Sequence, residues 1–96
     1  MSTSSSTSLL AMKIPISMVN MNNFIKSISL RGLVEIKGLA IIQSHCSGTV
    51  VVRSTDGQNH QEIRLMTGEC CLLCDKHAKH FVTSDKLGRL DIYRRQ

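Results

Sequence analysis

The stretch Cys70-Cys71-Leu72-Leu73-Cys74-Asp75-Lys76-His77-Ala78-Lys79-His80 concentrates the side chains best suited to chemistry in this 96-residue chain. Cys71-x-x-Cys74 has the spacing of a zinc knuckle, in which two thiolates from one tight turn reach a single tetrahedral ion, and His77 and His80 could complete the set. Zinc modules, however, usually draw their two ligand pairs from separate elements, and these four lie in one short stretch. The distant pair, His45-Cys46, consists of neighbours that point to opposite faces of a strand. The plainer reading is buried small thiols beside polar loop histidines, since free Cys is among the most buried residue types. A redox role for the same cysteines would want a βαβ setting and a helix N-terminus to lower the thiol pKa. A Cys–His nucleophile would want an oxyanion loop and an orienting third group. The sequence offers none of these. Vicinal Cys70 and Cys71 are expected on opposite sides of a strand.

The remaining polar residues read as surface. Glu35 and Glu62 have Lys37 and Arg64 two residues further along the same faces, where cross-strand ion pairing explains them better than acid–base work. Gly32 and Gly38 punctuate turns and do not form a GxGxxG cluster leading into a helix. The formal charge is +5, with twelve Lys and Arg against seven Asp and Glu, and Lys86, Arg89, Arg94 and Arg95 form its one local concentration. That charge permits contact with acidic protein, nucleic acid or lipid headgroups without selecting one. The only aromatics are Phe24, Phe81 and Tyr93, too few for a base-stacking platform. No run reaches the ~20 apolar residues of a membrane-spanning helix. No secretory signal is expected, and four cysteines without one imply free thiols in a reducing compartment.

The elements that would carry these residues are strands. Thr49-Val50-Val51-Val52-Arg53 is followed by Asp56-Gly57 and then Glu62-Ile63-Arg64-Leu65, a hairpin pattern for which a type I′ turn at Asp-Gly is expected. Ile28 and Leu30 share a parity, as do Val34 and Ile36. Leu39–Ile42 is a continuous apolar run of the kind covered on both faces. Cys71-Leu72-Leu73, Phe81-Val82-Thr83 and a last run with Leu90 and Ile92 inside complete about eight short strands. One helical turn is allowed around Asp75–Lys79. The class is all-β: a small antiparallel β-sandwich or jelly-roll-like barrel with an extended N-terminal arm.

Two regions follow: residues 1–23, a Ser/Thr-rich tail and an extended arm, and residues 24–96, the β-sandwich domain. Pro15 argues against a continuous helix in the arm. The arm either pairs with a neighbour's sheet edge or forms a first strand of its own domain. Its apolar residues Met12, Ile14, Met18 and Met21 are the expected assembly contacts.

Arg31-Gly32, Gly38, Gly48-Thr49-Val50-Val51-Val52, Asp56-Gly57, Leu65-x-x-Gly68, Phe81-Val82-Thr83-Ser84 and Gly88-Arg89-Leu90-Asp91-Ile92 occur in that order. This order resembles the small β-sandwich structural proteins of bacteriophage virions, which coat, cement or connect capsid and tail parts. The resemblance covers roughly residues 24 to 93 and is a pattern of hydrophobics and turns. The Cys and His cluster between Gly68 and Phe81 departs from it. The resemblance implies a non-enzymatic virion protein without a cofactor, working through contacts with capsid subunits and other virion proteins and with copies of itself. No membrane is implied and nucleic acid is not an expected partner. Arg89, Arg94 and Arg95 would then meet an acidic capsid surface or the packaged genome. The reading from a different class is a zinc-stabilised nucleic-acid-binding module, with Cys71, Cys74, His77 and either His80 or Cys46 as ligands.

Overall fold

The computed structural model describes residues 10–74 and 79–96. Nine strands in these residues form two antiparallel sheets. They are β1 (Leu10–Pro15), β2 (Phe24–Arg31), β3 (Leu33–Ile36), β4 (Ala40–Ser44), β5 (Thr49–Ser54), β6 (His60–Arg64), β7 (Glu69–Cys74), β8 (His80–Ser84) and β9 (Arg89–Arg95). One sheet has the order β1-β7-β8-β9-β2; the other is the meander β3-β4-β5-β6. The Ser/Thr tail, the allowed helical turn around Asp75 and His77 lie outside the described residues.

Alternation on the strands builds the core between the sheets. Ile42, Val50 and Val52 come from the meander; Leu73, Val82, Leu90 and Ile92 come from the other sheet, all essentially without exposure. Burying each such side chain is worth about 1.5–3 kcal/mol. Ala40 and Ile42 face this core, while Ile41 between them is half-buried on the outer face. No helix among the described residues is long and apolar enough to cross a membrane.

The β5–β6 connection is longer than a two-residue type I′ turn. Ser54 N donates to the Asn59 carbonyl at 2.9 Å, so residues Thr55–Gln58 form the loop, with Gly57 at φ 76°. Asp56 holds it together: its carboxylate accepts from the Ser54 hydroxyl (2.5 Å) and from Gln58 N (2.9 Å). These bonds, the hydroxyl's first, hold the Asp56 carboxyl below its usual pKa.

Residues Leu10–Pro15 pair in register with β7 of their own chain, Ala11 opposite Leu73 and Ile14 opposite Cys70. Pro15 ends this edge strand, where a missing N–H removes no ladder bond from the middle of a sheet. Strands β1 and β2 are the opposite edges of one sheet. Pro15 lies at the Glu69 end and Phe24 at the Arg95 end. With strands spaced about 4.8 Å apart, the path between these corners is a diagonal on the order of 25 Å, within reach of residues 16–23 but too short for a detour round the edge. The segment therefore straps the outer face of the sheet, in two single 3₁₀ turns, Ile16–Met18 and Met21–Asn23.

All three aromatic residues of the chain gather on that face. Phe81 is fully buried although it lies outside the inter-sheet core. Tyr93 stacks on it (4.5 Å between ring centroids, 5° between planes) and Phe24 meets it edge-on at 5.0 Å.

Candidate functional site

The two flanks of the sandwich are built differently. On one, β1 and β6 are joined by a side chain: Gln61 accepts from Ala11 N at 2.9 Å and donates to the Ala11 carbonyl at 3.2 Å. The amide imitates a strand residue and closes the seam, and Ala11 behind it is buried. On the other flank β2 and β3, the remaining sheet edges, are joined in sequence through the Gly32 corner and share no ladder among the described residues.

That corner is made by Gly32 at φ 87°, a conformation that favours glycine. Buried Ser44 ties it down: Ser44 N donates to the Gly32 carbonyl (2.8 Å) and its hydroxyl accepts from Gly32 N (3.2 Å). The same hydroxyl reaches the Gly88 carbonyl at 2.6 Å, fastening the β8–β9 turn to the corner.

Beyond the corner the core is open. Leu30 pairs with Leu90 and Ile28 with Ile92, so both face the interior. A bulge between Lys26 and Ile28 brings Ile25, opposite Arg94, onto the same face. The extra residue, Ser27, donates its hydroxyl to the Ile92 carbonyl at 3.0 Å. Strand β3 has four residues against eight in β2 and cannot roof all of it. Consequently Ile25 is 53% and Leu30 44% exposed on the core-facing side of their sheet. Leu33, just past the corner, is 58% exposed. This open mouth is the candidate site, and it can take up an apolar strand or side chains from another subunit.

On the outer face of β2, Lys26 and Ser29 pair with side chains of β9. Asp91 receives Lys26 Nζ at 3.9 Å and Arg89 Nε at 3.7 Å, and Arg89 also donates to the Ser29 hydroxyl at 3.1 and 3.2 Å. Glu35 and Glu62 are in none of the ion pairs among described residues, because their cross-strand partners are Ile41 and Val51. A second apolar opening, a groove of about 680 Å³, sits at the end of the sandwich between the Leu65–Glu69 and Ser84–Leu87 turns. Met66 and Leu87 stand exposed on its rim.

The residues expected at sites are dispersed. Met12 and Ile14 lie on β1 on the outer face, Met12 exposed and Ile14 half-buried; Met18 and Met21 are exposed on the strap. Arg89 is separated from Arg94 by five residues of strand, about 17 Å, and Arg94 and Arg95 point to opposite faces. The three do not make one basic patch. Cys71 and Cys74 stand on a strand and not on a knuckle turn, so their odd separation sends them to opposite faces. Cys71 is in the inter-sheet core, and burial first, then the neighbouring Cys70 and Cys74, pushes its thiol up to about 12. Cys70 is buried on the outer face, and burial raises its pKa too. Cys46 is exposed near the Leu87 carbonyl, and His80 is half-buried on β8. Among the described residues no three His, Cys, Asp or Glu side chains converge.

No local sequence pattern singles out Ile25, Gln61 or Ser44. The bulge hides Ile25 from a two-residue period, and Gln61 and Ser44 act through contacts fifty and forty-four residues away. Compared with protein-family models, curated proteins and solved structures, the chain gives no match.

Proposed function

We propose that this chain is a structural subunit of a bacteriophage virion, a minor capsid, cement or connector protein that completes its interior by docking onto neighbouring subunits. The supporting observation is the open mouth: Ile25 and Leu30 face the core yet stand about half exposed, while the opposite flank is closed by Gln61. Covering large apolar side chains is the main favourable term in association, and a small domain has little core to spare. The exposed Met18, Met21, Met66 and Leu87 add adaptable apolar contacts elsewhere on the surface. Weak contacts of this kind hold when many copies engage together. The order of hydrophobics and turns along residues 24 to 93, which resembles that of small virion β-sandwich proteins, supports the virion reading.

The test is composition of particles. Virions purified through density gradients from cells expressing the chain should carry it in stoichiometric copies, measured by quantitative mass spectrometry. A Leu30→Lys variant should be depleted from the particles at equal expression. Particles that lack the wild-type chain overturn the reading.

A further inference from the structure

Within that reading, we propose that the covering partner is a second copy of this chain, paired antiparallel through β2 with the two-fold axis at Ile28. Among the four edge strands β2 is the longest and borders the open mouth; β3 has four residues, and the β1/β6 flank is bridged by Gln61. A long free edge is a template for another strand.

The sequence of β2 is self-complementary about Ile28. Its paired positions are Phe24, Ile25, Lys26, Ile28, Ser29, Leu30 and Arg31, with Ser27 the bulge residue. Ile28 is the midpoint. Reversing this ladder on itself sets Ile28 against the second copy's Ile28, Ile25 against its Leu30, Lys26 against its Ser29, and Phe24 against its Arg31. Every core-facing position thus meets an apolar one, so both mouths close together. On the outer face no cation opposes a cation, which a strand carrying Lys26 and Arg31 would risk in another register. Arg31 meets the Phe24 ring, a favourable cation–π pairing. The bulge falls symmetrically on either side of the axis and shifts no register. A two-fold contact of one patch with itself is the commonest form of subunit association.

Sedimentation of the full chain from micromolar to millimolar concentration should show a monomer–dimer equilibrium. Leu30→Lys should raise its dissociation constant about 100-fold, roughly tenfold at each of two symmetric sites. Register is read by mild oxidation in a Cys46→Ser background. Ile28→Cys should give a disulfide-linked dimer, Ile25→Cys alone should not, and Ile25→Cys with Leu30→Cys should. If Ile28→Cys fails to fold, the double variant, at half-exposed positions, reports the same register. A chain that stays monomeric throughout, or a dimer in which Ile25→Cys links and the double variant gains nothing, overturns the pairing. Virion incorporation of a chain that is monomeric alone would sink this inference and leave the proposed function standing, with a foreign subunit in the mouth.

Discussion

Gln61 and Ala11, fifty residues apart, exchange two hydrogen bonds in which a side-chain amide stands in for a strand. The relationship matters because β1 contributes little else to the interior. Its core-facing positions are Ala11, Lys13 and Pro15, and Lys13 is turned out to Glu69 at 3.8 Å. Removing the amide should therefore loosen β1 selectively. Gln61→Ala is expected to cost about 1–3 kcal/mol, the penalty for stranding partly buried backbone groups. Hydrogen exchange followed by mass spectrometry should show lost protection in residues 10–15 with β4 and β5 unchanged. Uniform loss across both sheets would contradict the assignment.

Ser44 carries the corner beside the open mouth. Its single hydroxyl proton goes to the Gly88 carbonyl at 2.6 Å, while its oxygen accepts from Gly32 N at 3.2 Å. Ser44→Ala leaves both groups without that partner and should destabilise by about 1–3 kcal/mol in chemical denaturation. A change of only a few tenths would show that water replaces the hydroxyl.

Two glycines separate conformational strain from crowding. Gly48 (φ 84°) and Gly57 (φ 76°) share the left-handed region. A Cβ on Gly48 would lie 3.0 Å from the Leu65 carbonyl oxygen, whereas one on Gly57 would meet nothing within 4 Å. Gly57→Ala should cost about 1–2 kcal/mol, the left-handed penalty alone. Gly48→Ala should cost clearly more, because the obstructing atom is backbone and Leu65 N also donates to the Gly48 carbonyl at 2.9 Å. Equal denaturation midpoints for the two variants would remove the crowding argument.

Much of the fold was legible in the chain, since period-two runs and turn residues are local signals. The inward pairs Val50/Val52 and Leu90/Ile92 are buried as their alternation requires, and the two-sheet all-β class follows from such runs. What escaped depends on non-local geometry. The bulge at Ser27 puts Ile25 on the face of Ile28 and Leu30, which no fixed period can express. Val51 lies between the inward Val50 and Val52, yet it is only 5% exposed on the outer face of a central strand, where a period of two expects a polar residue. Phe81 and Tyr93 meet as cross-strand partners on β8 and β9, and Phe24 joins them because residues 16–23 cross the sheet and deliver β2 to its far edge. The Cys71-x-x-Cys74 spacing fits a turn or a strand equally well, and hydrogen bonding to β1 and β8 chose the strand.

The buried thiol makes stability depend on alkaline pH in a definite direction. Cys71 is raised from 9.0 to about 12 in the fold, so the native state keeps its proton where the unfolded chain has lost it. Stability from this group is complete below about pH 9 and is lost as pH rises toward 12, at up to about 1.4 kcal/mol per pH unit. Cys70 shifts in the same direction and adds to the slope. Denaturant midpoints measured at pH 8 and pH 10 should therefore fall for the wild type, and fall less for Cys71→Ala, whose cavity cost is the same at both values. The same burial protects both thiols from modification: 5,5′-dithiobis(2-nitrobenzoate) at pH 8 should titrate exposed Cys46 rapidly and leave Cys70 and Cys71 unreacted until denaturant is added. Rapid native-state labelling of Cys71 would mean that the thiol is accessible in the folded chain and would contradict the burial on which the slope rests.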